Sequence, residues 1–294
     1  MNNILNSSSE IEDKLFTPKI TLRSKGKLLL LEEPWVMGIL NVTPDSFFVG
    51  SRVQKTLDEV VFRVEKMLLE GAKIIDVGGY SSRPGAAMVS VEEEMDRILP
   101  VIEKIKIHFP DCLVSIDTFR ANVAKEAVHI GADIVNDISS GDLDTEMLEA
   151  VGKLSVPYIA MHMRGNPQNM QEKTGYENII LEIAQNFSRK LNQCKKAGIN
   201  DVILDPGFGF SKTLEQNYYI LKKLSYFKIN QVPILVGLSR KSMIYKPLDC
   251  TPEEALNGTT ALNMVALIQG ANILRVHDVK EAVETVKLYK QLNP

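Results

Sequence analysis

The sequence predicts a (β/α)8 barrel, the TIM-barrel architecture, preceded by an N-terminal β-hairpin, and three observations carry that prediction. Eight short apolar runs recur along the chain, and seven of them are followed by an amphipathic helical pattern before the next. Such alternation implies a parallel sheet with right-handed crossovers. A Gly-Ala pair recurs as Gly71-Ala72, Gly131-Ala132 and Gly270-Ala271, each closing a helical pattern just before an apolar run, with Ala197-Gly198 as a looser copy. Glycine supplies the left-handed residue that ends a helix. Finally, no G-x-G-x-x-G follows the first run, which disfavours an open dinucleotide-binding sheet. The 294 residues, 45% of them hydrophobic, suit one large core, since single barrels commonly reach roughly 250 residues.

In chain order, residues 1–16 read as a flexible tail and 17–294 as one domain; Asn2 to Asp13 is rich in Asn, Ser and acids. Lys19 to Arg23 and Lys27 to Leu31 flank Ser24-Lys25-Gly26 and form the hairpin, placed to cover one end of the barrel. The eight strand candidates are Val36–Leu40, Ile74–Val77, Leu113–Ile116, Ile134–Val135, Tyr158–Met161, Val202–Leu204, Ile234–Val236 and Ile273–Val276. A last helix, Val279 to Leu292, closes the chain. Capping boxes, in which a Ser, Thr or Asp and an acid or Gln three residues on satisfy orphan N–H groups, are expected at Thr56/Glu59, Ser90/Glu93, Thr213/Gln216, Thr251/Glu254 and Asp278/Glu281. Pro100 falls inside the helix from Val91 to His108 and should kink it.

Composition excludes several classes of partner. A net charge of -3 gives no long-range pull toward nucleic acid or anionic membrane, and no apolar run approaches the ~20 residues of a transmembrane helix. Cys112, Cys194 and Cys250 are far apart, without metal-ligand spacing, and read as free thiols. With no signal-peptide pattern near Met1, a cytoplasmic protein is expected.

Barrel enzymes place their chemistry after the C-terminal ends of the strands. Here those positions hold Asn41, Asp76, Asp117-Thr118, Asn136-Asp137, His162-Met163-Arg164, Asp205, Ser239-Arg240-Lys241-Ser242 and Arg275, His277, Asp278. Singly, His162 or Asp137 could be a satisfied structural group and Asp278 a helix cap, while His108 and His129 sit on helix faces. Together they converge on one rim, where unpaired polar groups are costly to hold without a role. The stretch Asp201 to Phe210 is the most telling: a short strand ends on Asp205, Pro206 stops the ladder, and Gly207 and Gly209 turn the chain beside Phe208 and Phe210. Asp117, Asn136 and Asp205, with Lys241, frame an apolar neighbourhood of Met161, Phe208 and Phe210, suited to a flat heterocycle with adjacent N–H donors. Asn41, Ser82, Arg83, Arg275 and His277 suit an anionic group such as phosphate, with or without a divalent metal.

Several motifs together resemble the dihydropteroate synthase family from about Ile20 to the C-terminus. They are Met37 to Phe47, Ser115-Ile116-Asp117-Thr118, Asn136-Asp137-Ile138, Met161-His162-Met163, Asp205 to Phe210, Ser239-Arg240-Lys241-Ser242 and Arg275-Val276-His277-Asp278. The resemblance implies an alkyl-group transferase that joins 6-hydroxymethyl-7,8-dihydropterin diphosphate to 4-aminobenzoate, releasing diphosphate with Mg2+, and one that is a homodimer and a sulfonamide target. It implies that Asp117, Asn136, Met161, Asp205, Phe210 and Lys241 hold the pterin, and that Asn41, Ser82, Arg83, Arg275 and His277 hold diphosphate. It also assigns Ser82, Arg83, Pro84, Phe210, Lys241 and Ser242 to 4-aminobenzoate, Asn41 to the metal, and the catalytic roles to Asp117, Asp205, Lys241 and Arg83.

Two stretches depart from the family pattern. The second loop reads Gly78-Gly79-Tyr80-Ser81-Ser82-Arg83-Pro84-Gly85, with Tyr80 where the family has an acid and Ser82 where it has Thr. The first loop, Asp45 to Arg52, has lost an acid and a glycine. Two other classes share such a pocket: a pterin-dependent methyltransferase-type barrel and a non-catalytic pterin-binding paralogue.

Overall fold

The computed structural model describes residues 20–42, 53–80 and 89–292. The chain opens with an antiparallel hairpin, β1 (Ile20–Ser24) and β2 (Lys27–Leu31). Eight parallel strands follow: β3 (Trp35–Asn41), β4 (Ile74–Gly78), β5 (Leu113–Asp117), β6 (Ile134–Asp137), β7 (Tyr158–Met161), β8 (Val202–Asp205), β9 (Leu235–Val236) and β10 (Ile273–Val276). Their order in the sheet is β8-β7-β6-β5-β4-β3-β10-β9. A parallel bridge between Leu204 and Ile234 joins the two ends, so the sheet closes into a barrel.

The helices between the strands are α1 (Val53–Leu69), α2 (Val91–His108), α3 (Ala121–Ile130), α4 (Met147–Leu154), α5 (Ile179–Lys196), α6 (Leu214–Lys222), α7 (Ser242–Tyr245), α8 (Leu256–Ile268) and α9 (Val279–Leu292). The Gly-Ala repeat works as its sequence suggests. Gly71, Gly131 and Gly270 have φ of 104°, 143° and 98°, and the N–H of each following alanine returns to the last helical turn. Ser90 caps α2 through the Glu93 N–H, and Thr213 with Gln216 forms a complete capping box on α6.

Three expected caps are placed differently. α1 begins at Val53, so Thr56 and Glu59 lie within it; Gln54 and Lys55, both good helix formers, carry it upstream. Thr251 and Glu254 close a turn ahead of α8, which starts only at Leu256. The Asp278 carboxylate is taken by Arg240, 3.0 Å from Nε and 2.5 Å from Nη2, leaving it to a salt bridge instead of a cap. The helix α2 runs unbroken through Pro100.

The barrel interior is layered, because side chains alternate in and out along each strand. Its N-terminal layer is apolar: Trp35, Met37, Ile74, Leu113, Ile134, Ile159, Ile203, Leu235 and Ile273 cluster there, with Leu22 and Leu31 of the hairpin closing the end. The hairpin is therefore the barrel floor, and Ser24 ties it down by donating to the Asp133 carbonyl at 2.8 Å. Two residues further along the strands, the same inward positions hold Asp76, Ser115, Asn136, Met161, Asp205, Gly237 and Arg275. The barrel is thus dry at one end and charged at the other.

Candidate active site

The charged layer is built around Arg275. From the middle of β10 its guanidinium reaches across the barrel, donating from Nε to Asp76 and from Nη2 to Asp117, each at 2.6 Å. Asp76, wholly buried on β4, also accepts from the Asn136 amide at 3.2 Å. Asp76, Asp117, Asn136 and Arg275 thus form one connected group from four strands. Burial and the neighbouring Asp76 carboxylate push Asp117 up to about 7, against the opposing pull of Arg275. Arg275 is held firmly charged, since the two carboxylates outweigh its desolvation.

Next to this group stands the turn that follows β8. Pro206 ends the strand, and the Asp205 carboxylate accepts from the Gly207 N–H at 2.7 Å, an Asx turn that fixes the carboxylate at the strand end. Gly207 has φ of 69°, and a Cβ there would sit 2.1 Å from the His162 carbonyl oxygen, so only glycine fits. Lys241, at the N-cap of α7, sends its ammonium to the Phe208 carbonyl at 2.5 Å and lies 5.0 Å from the Phe210 ring centre. Burial lowers Lys241 to about 8, with Asp205 opposing the shift. Burial likewise raises Asp205, with Lys241 the chief opposing charge. Asp205 and Asp117 both act on the Lys241 ammonium, and poor hydration of all three groups favours hydrogen-bonding partners.

The third side of the rim holds Asn41 and His277. Asn41 is exposed at the end of β3, paired in register with Gly78. A Cβ on Gly78 would stand 3.5 Å from Asp117 Cβ and 3.9 Å from Asn41 Oδ1, so the glycine leaves room between them. His277 shares a hydrogen bond with Ser239 (Nδ1 to Oγ, 3.0 Å), whose hydroxyl also accepts the His277 N–H. Ser242 is half-buried at the first position of α7.

The structure thus gathers Asn41, Asp117, Asn136, Met161, Asp205, Phe210, Lys241, Ser242, Arg275 and His277 at one mouth. Ser82, Arg83 and Pro84 lie outside the described residues, as do the altered first loop from Thr43 to Arg52 and the N-terminal tail. Arg275, expected in the anion half, lies one inward position below His277, and its Nε and Nη2 donate to Asp76 and Asp117. His162 is buried in contact with Lys212 behind the Asp205 turn, a structural role. Asp137 is equally structural, accepting from Tyr158, Ser139 and Gly141.

Two residues were missed by reasoning from sequence. Asp76 was visible at the end of its run but was not assigned to the site; counting inward positions from Ile74 would have placed it level with Asn136. Lys212 had no signal in the sequence, because only the coiling of the Asp205 turn gathers carbonyls around it. Tyr80, the residue standing where an acid was expected, is buried against Phe119, with Arg120 over its ring and Gln168 donating to its hydroxyl.

The chain is similar to known proteins over most of its length. A family model described as "Pterin binding enzyme" matches residues 37–277. Dihydropteroate synthase of Escherichia coli K12 is 46% identical over 269 residues, covering 91% of this chain and 94% of the relative. The synthase of Synechocystis is 44% identical, with 86% and 88% covered. Among solved structures, Yersinia pestis dihydropteroate synthase in a sulfonamide drug complex superposes with a TM-score of 0.87 at 43% identity, covering 93% of this chain and 99% of that one. Xanthomonas albilineans dihydropteroate synthase with 4-aminobenzoic acid gives 0.86 at 35% identity, covering 94% and 99%. The chain belongs to the dihydropteroate synthase family of pterin-binding enzymes.

Proposed function

We propose that the barrel mouth condenses 6-hydroxymethyl-7,8-dihydropterin diphosphate with 4-aminobenzoate, giving 7,8-dihydropteroate and diphosphate. The observation that carries this reading is the pairing of two poorly hydrated carboxylates, Asp117 and Asp205, with the Lys241 ammonium in one mouth. The pterin's amino and ring N–H groups donate to the carboxylates, and its carbonyl or ring nitrogen accepts from Lys241. Asn136, Met161 and Phe210 fill the faces and edge of the ring.

The reaction breaks the bond between the methylene carbon and the diphosphate oxygen and forms one from that carbon to the arylamine nitrogen. Positive charge left on the methylene spreads into the pterin, and Asp117 and Asp205 stabilise that charged ring more than the neutral substrate. The arylamine is neutral near pH 7, so no strong base is required; the proton it loses passes to water or to the departing diphosphate. Asn41, Arg83 and His277 hold the diphosphate, with Arg275 below them bracing Asp117. Ser82, Arg83, Pro84 and Ser242 border the 4-aminobenzoate.

A Mg2+ ion fits this arrangement as a companion of the substrate more than as a resident of the protein. No cluster of three or more acid, His or Cys side chains suited to a metal occurs among the described residues. Asn41 offers one exposed oxygen at the rim, which suits an ion that keeps its waters and takes its other ligands from phosphate. Bound there, the ion disperses the charge of the leaving diphosphate.

Homodimerisation and a cytoplasmic location complete the proposal. The helix α8 carries no charged residue over its whole length, and Val265 and Ile268 on its outer side are 37% and 56% exposed. A second copy of the chain would cover these exposed apolar side chains. Three free thiols suit a reducing compartment, and no helix among the described residues is long and apolar enough to cross a membrane.

Turnover of the pterin diphosphate with labelled 4-aminobenzoate tests the function. Labelled dihydropteroate supports it. Retained pterin binding without product would favour the non-catalytic paralogue.

A further inference from the structure

Behind the Asp205 turn, on the side away from the barrel mouth, lies a lysine that the proposed chemistry does not use. Lys212 is 4% exposed. Its Nζ lies 2.9 Å from the Phe210 carbonyl, 3.0 Å from that of Gly207, 3.2 Å from that of His162 and 3.1 Å from His162 Nδ1. The backbone explains why carbonyls meet there. Gly207, Gly209 and Ser211 have φ of 69°, 81° and 49°, so every second residue is left-handed and the turn coils around the ammonium. The intervening Phe208 carbonyl faces the other way and meets Lys241. Two ammonium groups thus grip one turn from opposite sides.

Gly207 links that grip to Asp205, since its N–H is held by the Asp205 carboxylate and its C=O by Lys212. The location is poor for a cation. Lys212 is two residues ahead of α6, near the positive end of the helix dipole. Burial lowers it to about 7, Lys241 and Arg164 push the same way, and only Asp205 opposes. The groups facing it are Asp205 from β8, Lys241 after β9, and His162 and Arg164 after β7. Helix stability does not account for such a residue; the carbonyl cage and Asp205 do.

We infer that Lys212 is a positioning residue, whose ammonium holds the turn from Pro206 to Phe210 in the shape that aims Asp205 at the pterin. This rests on the reading of Asp205 as a pterin ligand. An apolar side chain at the position would leave the His162 carbonyl without a donor and the Gly207 and Phe210 carbonyls with only the Phe210 N–H and the Ser211 hydroxyl, and so let the turn relax.

The test compares Lys212→Met, Asp205→Asn and the double variant, by calorimetry with pterin diphosphate and by steady-state kinetics, with circular dichroism as the fold check. Lys212→Met should weaken pterin diphosphate binding ~10- to 100-fold, while the KM for 4-aminobenzoate stays within ~2-fold. In the Asp205→Asn background the same substitution should cost less than ~3-fold, because both act through one carboxylate. Full additivity, or a folded Lys212→Met that binds like the parent, overturns the inference. Should Lys212→Met not fold, Lys212→Arg keeps the charge but displaces it. A raised KM for the pterin substrate alone supports the inference, and two unchanged KM values overturn it. Unaltered pterin affinity in Asp205→Asn would sink the reading of Asp205 itself, a result distinct from additivity.

Discussion

Replacing Arg275 with methionine removes the guanidinium that joins Asp76 to Asp117. Asp76 is wholly buried and Asp117 is 17% exposed at its side chain, while the guanidinium between them is 20% exposed. Breaking a buried pair by deleting one partner costs ~3–5 kcal/mol, because a buried charge is left uncompensated. Here the full figure applies only where the carboxylates stay ionised. Asp117 already sits at about 7 with Arg275 in place, and losing the cation moves it further up. A raised native pKa means that the native state binds more protons than the unfolded state between the two pKa values, so stability falls as pH rises through that window. Arg275→Met should therefore be ~3 kcal/mol less stable than the parent near pH 8 and markedly closer to it near pH 5. Urea unfolding at the two pH values measures the difference. A deficit equal at both, or larger at the acidic one, would refute the reasoning.

Three more expectations follow from the geometry. Asp205→Asn should keep its circular dichroism spectrum and lose more than ~100-fold in kcat/KM, about 3 kcal/mol of transition-state stabilisation; near-normal turnover would remove Asp205 from the site. Pterin diphosphate affinity should fall above about 8, as Lys241 loses its charge, whereas near 7 the acceptor gained at Asp117 and the charge lost at Lys212 oppose each other; calorimetry across this range reads the fall, and no loss above about 8 contradicts it. Leu22→Ala, a cut in the barrel floor, should cost ~2–4 kcal/mol in unfolding free energy and leave both KM values unchanged.

The barrel was legible in the sequence because each strand is a compact apolar run and the helix ends carry glycine where a left-handed residue is required. Boundaries moved where a charge ends a strand. Asp117, Asp137 and Asp205 are themselves the last residues of β5, β6 and β8, although an apolar-run criterion stops before them. Most of the mouth could be read from polar residues following those runs, since the topology fixes where strand ends point. What stayed hidden depends on three-dimensional proximity. Arg275 read as an anion-binding residue, and no sequence spacing reveals that Asp76 and Asp117 also lie within reach of its guanidinium. Lys212 belongs to the turn only because alternate left-handed residues coil that turn around it. Asp278 shows the opposite error, a carboxylate with the sequence position of a cap that Arg240 claims first.

The central claim is that Asp117, Asp205 and Lys241 bind the pterin ring, and a co-crystal structure with the pterin diphosphate tests it most directly. The predicted result places the ring's amino edge against Asp117 and Asp205, with an acceptor atom of the ring on Lys241 and the diphosphate toward Asn41 and His277. A ring bound with its amino edge facing solvent, or one seated outside the barrel mouth, would contradict it.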